Sequence, residues 1–136
     1  MRRWLKNVAV LVRGIGRIGV MIIAEDVLPA LHLYSVAERM VKWCASFSKP
    51  DQTERALSRV YEKAGKLEDA EQRLQGALRI DSKTPDNYLF LGQFFARHNR
   101  PVDAIRAFEQ AITVAHDRPA DLEFATRRIE ELRRVT

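Results

Sequence analysis

The sequence contains little cysteine, glycine or proline, and each shortage excludes a class of protein. Cys44 is the only cysteine among 136 residues, so neither an intrachain disulfide framework nor a cysteine metal cluster can form. Six glycines and five prolines are too few for a collagen-like or low-complexity chain, while 46% of the residues are hydrophobic. The composition therefore predicts a helical globular protein with one domain, or one domain and an appendage.

Acidic residues are absent from the first 24 positions, and the basic excess lies in the first third of the chain. Residues 1–50 contain 8 Lys or Arg against 3 Asp or Glu, which gives a net charge of +5. Residues 51–136 contain 15 of each sign, so their net charge is zero. This asymmetry predicts a basic N-terminal extension over residues 1–50, followed by a domain over residues 51–136.

From Asp51 onward the sequence repeats with a period of about 34 residues, a length typical of stacked helical units. When residues 51–84 are aligned with residues 85–118 without gaps, similar side chains coincide. The pairs are Leu57 and Leu91, Tyr61 and Phe95, Ala70 and Ala104, Leu74 and Phe108, Ala77 and Ala111, and Ile80 and Val114. The domain is therefore predicted to consist of repeated units.

Each unit predicts two antiparallel helices with a break between them. Gly65 and Asn99 stand at the break, and these two residue types most readily adopt the left-handed conformation that ends a helix. Ala70 and Ala104 follow on the second helix, where we expect them to face bulky side chains of the first helix. A small residue opposite a large one lets two helices approach closely.

This pattern resembles the tetratricopeptide repeat (TPR) family, whose 34-residue unit has signature positions 4, 7, 8, 11, 20, 24, 27 and 32. The second unit matches with Tyr88, Leu91, Gly92, Phe95, Ala104, Phe108 and Ala111, and departs at His116. The first unit matches with Leu57, Tyr61, Ala70, Leu74 and Ala77, and departs at Glu54, Ser58 and Ser82.

The resemblance implies an all-α fold, a short TPR-type α-α superhelix with an N-terminal amphipathic helical extension. The first repeat would occupy residues 51–84, the second residues 85–118, and a capping helix residues 119–134. In the capping helix we expect Leu122, Ala125 and Ile129 to face inward, and the charged residues Glu130, Glu131, Arg133 and Arg134 to face solvent.

The resemblance also implies that the protein binds a protein partner in a concave groove. In TPR proteins this groove is lined by positions 2, 5, 9, 12 and 13 of the first helix in each repeat. The matching residues here are Gln52, Arg55, Arg59, Glu62, Lys63, Asp86, Leu89, Gln93, Ala96 and Arg97, together with Arg127 of the capping helix.

Two basic groove residues, Arg55 and Arg59, are one helical turn apart and are spaced to clamp a carboxylate. The asparagines that accompany such clamps in some chaperone-binding TPR domains are missing, so that ligand is not implied. An ordinary charged helix face, balanced by Glu54 and Glu62, is the alternative interpretation.

Two repeats are fewer than the three that usually make a stable array, so we expect residues before Asp51 to cover the first unit. An apolar stripe at helical spacing, formed by Leu33, Ala37, Met40, Cys44 and Phe47, predicts a core-forming helix there. Cys44 is interpreted as a buried small hydrophobe and not as a catalytic or metal-binding residue.

Gly14, Gly16 and Gly19 form a G-x-G-x-x-G pattern, which in another fold would indicate nucleotide binding. That interpretation needs a following helix and a second parallel strand, whereas Pro29 interrupts the helix and the chain is helical from residue 51. Nucleotide binding is therefore a remote alternative, and no cofactor is expected.

Residues 1–24 instead predict an amphipathic helix. At 100° per residue four basic residues form one stripe, Arg2, Lys6, Arg13 and Arg17. An apolar side lies opposite and includes Trp4, Leu11, Ile15, Ile18 and Ile22. This pattern is typical of a helix that lies in a membrane interface. The arginines argue against a membrane-spanning helix. Packing on another subunit, or on the repeats themselves, is the alternative.

No catalytic or metal-binding constellation is visible, because His32, His98 and His116 have no acidic or cysteine neighbours at ligand spacing. Nucleic acid is not expected, since the basic stripe is narrow and has no aromatic stacking platform. The sequence therefore predicts a non-enzymatic TPR adaptor or scaffold, held peripherally at a membrane, on its cytoplasmic face. A permanent subunit of a membrane protein assembly is the alternative function.

Overall fold

The computed structural model describes residues 32–136, which form helices, turns and bends and contain no strand. The predictions made for residues 1–24 and for the three glycines lie outside the described residues. The helices are α1 (Tyr34–Cys44), a 3-10 helix (Ala45–Phe47), α2 (Pro50–Lys63), α3 (Leu67–Ile80), α4 (Pro85–Arg97), α5 (Pro101–Val114) and α6 (Pro119–Val135). This series of helix pairs confirms the predicted all-α, TPR-type fold class.

The chain divides into two compact units, residues 1–70 and residues 71–136, and the boundary falls inside α3. Within the first unit, α1 packs against α2. Within the second unit, α5 packs against both α4 and α6, and α4 also contacts α6. First helices of the repeats are therefore α2 and α4, while α3 and α5 are second helices.

The breaks between paired helices have the predicted backbone. Gly65 has a φ of +78° and Asn99 a φ of +55°, both in the left-handed region. The amide of Lys66 donates a hydrogen bond to the carbonyl of Tyr61 at 2.9 Å, and one repeat later Arg100 donates to Phe95 at 2.9 Å. These are the six-to-one bonds of the Schellman motif, which satisfy carbonyls at a helix end.

A cation then covers an aromatic ring at each of these breaks. The Lys66 ammonium lies 5.9 Å from the ring centroid of Tyr61, and the Arg100 guanidinium lies 4.3 Å from that of Phe95. Both distances are within the range of a cation–π contact. The two turns are thus equivalent in backbone and in side-chain contact.

The core of the first unit joins α1 to α2. Ala37, Met40, Val41 and Cys44 cluster with Ala56, Leu57 and Val60. Cys44 is fully buried as a free thiol, which confirms its interpretation as a small hydrophobe. Trp43 and Phe47 are partly buried beside this cluster, with their ring centroids 5.1 Å apart.

The apolar stripe predicted for α1 is wrong at its first residue, Leu33, and omits one buried residue, Val41. Leu33 is 44% exposed because it precedes α1, which begins at Tyr34. Val41, absent from the predicted stripe, is fully buried. Phe47 is only partly buried, since it lies on the 3-10 helix that follows Cys44 and so leaves the face of α1.

The small residues of the second helices are buried, as predicted. Ala70 and Ala104 are both 0% exposed. In the second unit the approach of α5 to α4 is so close that a Cβ added at Gly92 would lie 2.8 Å from the ring of Phe108. Phe108 itself is fully buried, and only glycine leaves room for its ring at this point of α4.

Helix α6 ends the described array with one buried face and one polar face. Ala125, Ile129 and Leu132 are buried, Leu122 is half-buried, and the charged residues named for this helix are exposed, Glu130, Glu131, Arg133 and Arg134. This distribution is the one predicted from the sequence.

A hydrogen-bonded carboxylate links α1 to α2 beside the core of the first unit. Lys42 Nζ lies 2.6 Å from Glu38 Oε1, and the Tyr61 hydroxyl donates to the same oxygen at 2.9 Å. The hydrogen bond from Lys42, followed by that from Tyr61, lowers the pKa of Glu38. The ionised form of Glu38 is therefore the form that stabilises this pair of helices.

The contact between Gly92 and Phe108 predicts a change of sign in a double-mutant cycle. Gly92→Ala should destabilise the native protein by about 1–3 kcal/mol, because the clash outweighs the gain in helix propensity of about 1 kcal/mol. In a Phe108→Leu background, where the ring is gone, Gly92→Ala should instead be neutral or stabilising. Urea unfolding of the four variants measures this, and a Gly92→Ala effect of equal sign and size in both backgrounds would contradict the packing.

Protonation of Glu38 should weaken the first unit. Because the pKa of the folded state is lowered from 4.5, the stabilisation is present above that value and is lost as pH falls towards the folded-state pKa. Glu38→Gln should therefore be less stable than the native chain at pH 7, and the difference should shrink as the pH falls below 4.5. Thermal unfolding between these pH values provides the test, with the exposed Glu123→Gln as control. A stability gap that does not change with pH would refute the role of this carboxylate.

Candidate functional site

The residues that the TPR resemblance assigns to the groove lie on α2, α4 and α6. On α2, Gln52 and Lys63 are exposed, whereas Arg59 and Glu62 are half-buried. Arg55 is only 9% exposed. The α2 positions at spacings of three and four share one helix face, so this face is basic but unequally accessible.

The burial of Arg55 alters the expected clamp. The sequence alone treats Arg55 and Arg59 as an equal pair, but Arg55 lies largely within the first unit and only Arg59 reaches the surface in part. An arginine of this burial combines charge with packing of its aliphatic stem. Charge reversal at Arg55 would therefore destabilise the fold, and exposed positions are better suited to test partner binding.

On α4, the residues at spacings of four, Leu89, Gln93 and Arg97, lie on one face of the helix. Leu89 is 7% exposed, Gln93 is half-buried and Arg97 is exposed. Ala96 is half-buried beside them, and Arg127 of the neighbouring helix α6 is exposed. Along this surface the side chains change from the buried, apolar Leu89 to the amide of Gln93 and then to the exposed guanidinium of Arg97.

The predicted groove residue Asp86 forms an intramolecular ion pair. Arg118 Nη2 lies 3.1 Å from Asp86 Oδ1, and Arg118 Nε lies 2.6 Å from Asp121 Oδ2. The hydrogen bond to Asp86 raises the pKa of Arg118 above its ordinary value. Arg118 therefore joins the first turns of α4 and α6. The carboxylate of Asp86 is already engaged in this intramolecular ion pair, so it is less suited to bind a partner.

A second arginine connects the second helices in the same way. Arg100 Nη1 lies 2.7 Å from Glu71 Oε2 of α3, and Arg100 Nε lies 2.8 Å from Asp103 Oδ2 of α5. Hydrogen bonds to Asp103 and then to Glu71 raise the pKa of Arg100. Arg100 thus bridges α3 and α5, although exposed pairs of this kind add little stability.

Neither arginine could be recognised from the sequence. Arg118 and Asp86 are 32 residues apart, and Arg100 and Glu71 are 29 apart, so no local pattern indicates the pairing. The repeat period is the only sequence feature that indicates these pairs, because residues separated by about one repeat length lie on adjacent repeats.

The first unit also contains a cleft of about 380 Å³ between the start of α1 and the end of α2. It is lined by Tyr34, Glu38, Tyr61 and Lys66, among others. Glu38 already accepts hydrogen bonds from Lys42 and Tyr61 within this unit. The cleft thus combines phenol groups with an ionised carboxylate that is already paired, and its lining includes no cysteine.

Histidines do not form a reactive group among residues 32–136. The Nδ1 atom of His32 lies 3.0 Å from the Tyr34 hydroxyl, the His98 ring packs 4.7 Å from that of Phe94, and His116 is exposed. Over the same range, no three His, Cys, Asp or Glu side chains are close enough to hold a metal ion. None of the described helices has the length and apolarity needed to cross a bilayer.

Comparison with known proteins supports the fold but not a family assignment. No family model and no curated protein matches the chain. Among solved structures, the chain is similar to the type III secretion chaperone SycD of Yersinia enterocolitica, which was solved in complex with a peptide of the translocator YopD. The TM-score is 0.61 and the identity 13%, over 85% of this chain and 90% of the chaperone.

Proposed function

We propose that this protein is a non-enzymatic interaction module of TPR type, which binds a segment of a protein partner on the face presented by α4 and α6 of the second unit. The observation that carries this proposal is the graded face of α4, from buried Leu89 through Gln93 to exposed Arg97, beside exposed Arg127 of α6. The peptide held by the structurally similar chaperone supports the same kind of ligand.

The chemistry of this face indicates what the partner carries. Leu89 is 7% exposed and packs beneath this face, while the amide of Gln93 can donate and accept hydrogen bonds, and Arg97 and Arg127 attract a carboxylate. A partner segment that places a hydrogen-bonding group beside an acidic residue would complement Gln93 and the two arginines. Because α5 packs against both α4 and α6, this face is presented by helices that are already held together.

Charge reversal on this face should weaken partner binding. Short peptides would be selected by display against the full-length protein, and the affinity of the selected peptides would be measured by calorimetry. Arg127→Glu and Arg97→Glu should each raise the Kd at least tenfold, which corresponds to about 1.4 kcal/mol. Arg106→Glu serves as control, because the Arg106 side chain is 72% exposed on the second helix α5. An equal loss in the control, or no loss in either groove variant, would contradict the site.

A second proposal concerns the basic extension, which would hold the protein peripherally at the cytoplasmic face of a membrane. It rests on the acid-free sequence of residues 1–24 and on the stripe of Arg2, Lys6, Arg13 and Arg17 opposite Trp4, Leu11, Ile15, Ile18 and Ile22. In the alternative form of this proposal, the same residues contact another subunit of a membrane protein assembly. The protein would then be a permanent subunit and not an exchangeable adaptor.

Binding of the extension to lipid should depend on charge and salt. Full-length protein should sediment with vesicles that contain anionic lipid, less with neutral vesicles, and less again when salt is raised, since screening acts within about 10 Å at 0.1 M. An Arg13→Glu, Arg17→Glu double variant should lose this binding, while Arg106→Glu should keep it. Binding that is indifferent to lipid charge and salt would refute the lipid proposal and favour a protein subunit as the contact.

A further inference from the structure

Helix α4 leaves one of its large apolar side chains partly accessible. The helix carries five Leu or Phe residues, and four of them, Leu89, Leu91, Phe94 and Phe95, are at most 8% exposed. The fifth, Phe90, is half-buried. Packing of the second unit therefore buries four of these side chains, whereas part of Phe90 stays accessible at the surface.

Phe90 shares the binding face of α4 with Gln93 and Arg97. At about 100° per residue, Phe90 lies about 20° from Arg97 around the helix and about 60° from Gln93. Leu89, which the TPR resemblance assigns to the groove, lies about 80° from Arg97 and is 7% exposed. Single apolar residues are common on protein surfaces, so the alignment of Phe90 with these two polar side chains is the informative observation. Phe90 is the large apolar side chain that this face offers to a partner.

The spacing of these three residues matches the spacing of side chains on one face of another helix. A rise of about 1.5 Å per residue places Gln93 about 4.5 Å and Arg97 about 10.5 Å beyond Phe90 along the axis. A helix lying alongside has residues on one face at the same intervals, three and seven positions apart. An extended strand presents residues on one side about every 6.6 Å, so its side chains fall between these contacts.

The charges at the two ends of α4 give this contact a direction. Arg97 is in the last turn of α4, whereas Asp86 in the first turn is paired with Arg118. A helix that runs antiparallel to α4 has its own first turn beside Arg97. An acidic residue in that turn is favoured by the guanidinium and also by the dipole of its own helix.

We propose that the partner segment is an amphipathic α-helix that lies antiparallel to α4, with an acidic residue on Arg97 and, seven positions later, an apolar residue on Phe90. A residue four positions after the acid faces the amide of Gln93. This inference rests on the proposed interaction function and specifies the class of segment that is bound. Recognition of this kind uses side chains that repeat at three, four and seven positions along the bound helix.

The spacing within bound peptides distinguishes a helix from an extended segment. The probes are peptides selected by display against the full-length protein, restricted to those whose binding is weakened by Arg97→Glu. They should carry an acidic residue seven positions before an apolar residue. Moving the acid to five positions before the apolar residue separates the two side chains by about 140° on a helix, and should raise the Kd at least tenfold. On an extended strand both spacings place the two side chains on opposite sides, so an unchanged Kd would overturn the proposal.

A double-mutant cycle tests the contact with Phe90. Phe90→Ala should raise the Kd of these peptides at least tenfold, but less than twofold for a peptide whose apolar residue is replaced by alanine. Tyr88→Leu is the matched control, because Tyr88 is half-buried on α4 but lies about 160° from Phe90 around the helix. Thermal unfolding identifies variants that fail to fold, and Phe90→Leu replaces Phe90→Ala in the cycle if the smaller side chain prevents folding. Equal losses with both peptides would overturn the contact.

Failure of this inference can be distinguished from failure of the proposed function. If Arg97→Glu weakens none of the selected peptides, the proposed function at this face fails, and this inference fails with it. If it weakens them, but their affinity depends neither on the spacing of acid and apolar residue nor on Phe90, the proposed function stands and the helical partner is refuted.

Discussion

The packing of a small residue against a bulky one is the constraint on which this structure depends. A ring at Phe108 can be buried between helices only because Gly92 has no side chain and because Ala104 and Ala111 keep the rest of the interface thin. A helix pair held this closely has little freedom to rotate. The side chains on the outer face of α4 are consequently presented in fixed positions, and a binding surface needs this property more than it needs any single contact.

The connections between helices maintain the same geometry from repeat to repeat. A left-handed residue ends each first helix, a cation covers the aromatic ring one turn earlier, and an arginine joins carboxylates at neighbouring helix starts. These features contribute little energy individually, since most are exposed. Arg118 bridges the first turns of α4 and α6, the two helices that carry Leu89, Gln93 and Arg127.

Much of this architecture can be predicted from the sequence, because aligning one repeat with the next shows which positions carry the same kind of side chain. The repeat period predicts the helix pairs, the breaks at Gly65 and Asn99, and the burial of Ala70 and Ala104. Other features are invisible to it for physical reasons. His32 has a φ of +59°, and because few non-glycine residues adopt such a value, no local pattern indicates it.

Candidate site residues were less predictable than the fold. Their positions on α2, α4 and α6 follow from the register, but the burial of Arg55 and the engagement of Asp86 by Arg118 depend on side chains distant in sequence. Spacing along a helix specifies a face and not its accessibility. Groove residues inferred from family positions are therefore candidates. Which of them can contact a partner depends on which side chains are already buried or paired within the protein.

The close contact between α4 and α5 can be observed directly by NMR spectroscopy of the full-length protein. If the account is right, an α proton of Gly92 shows nuclear Overhauser effects to the ring protons of Phe108 and is shifted upfield by the ring current, and the shift disappears in Phe108→Leu. Gly92 α protons at ordinary chemical shifts, without contacts to that ring, would contradict the packing on which the whole description rests.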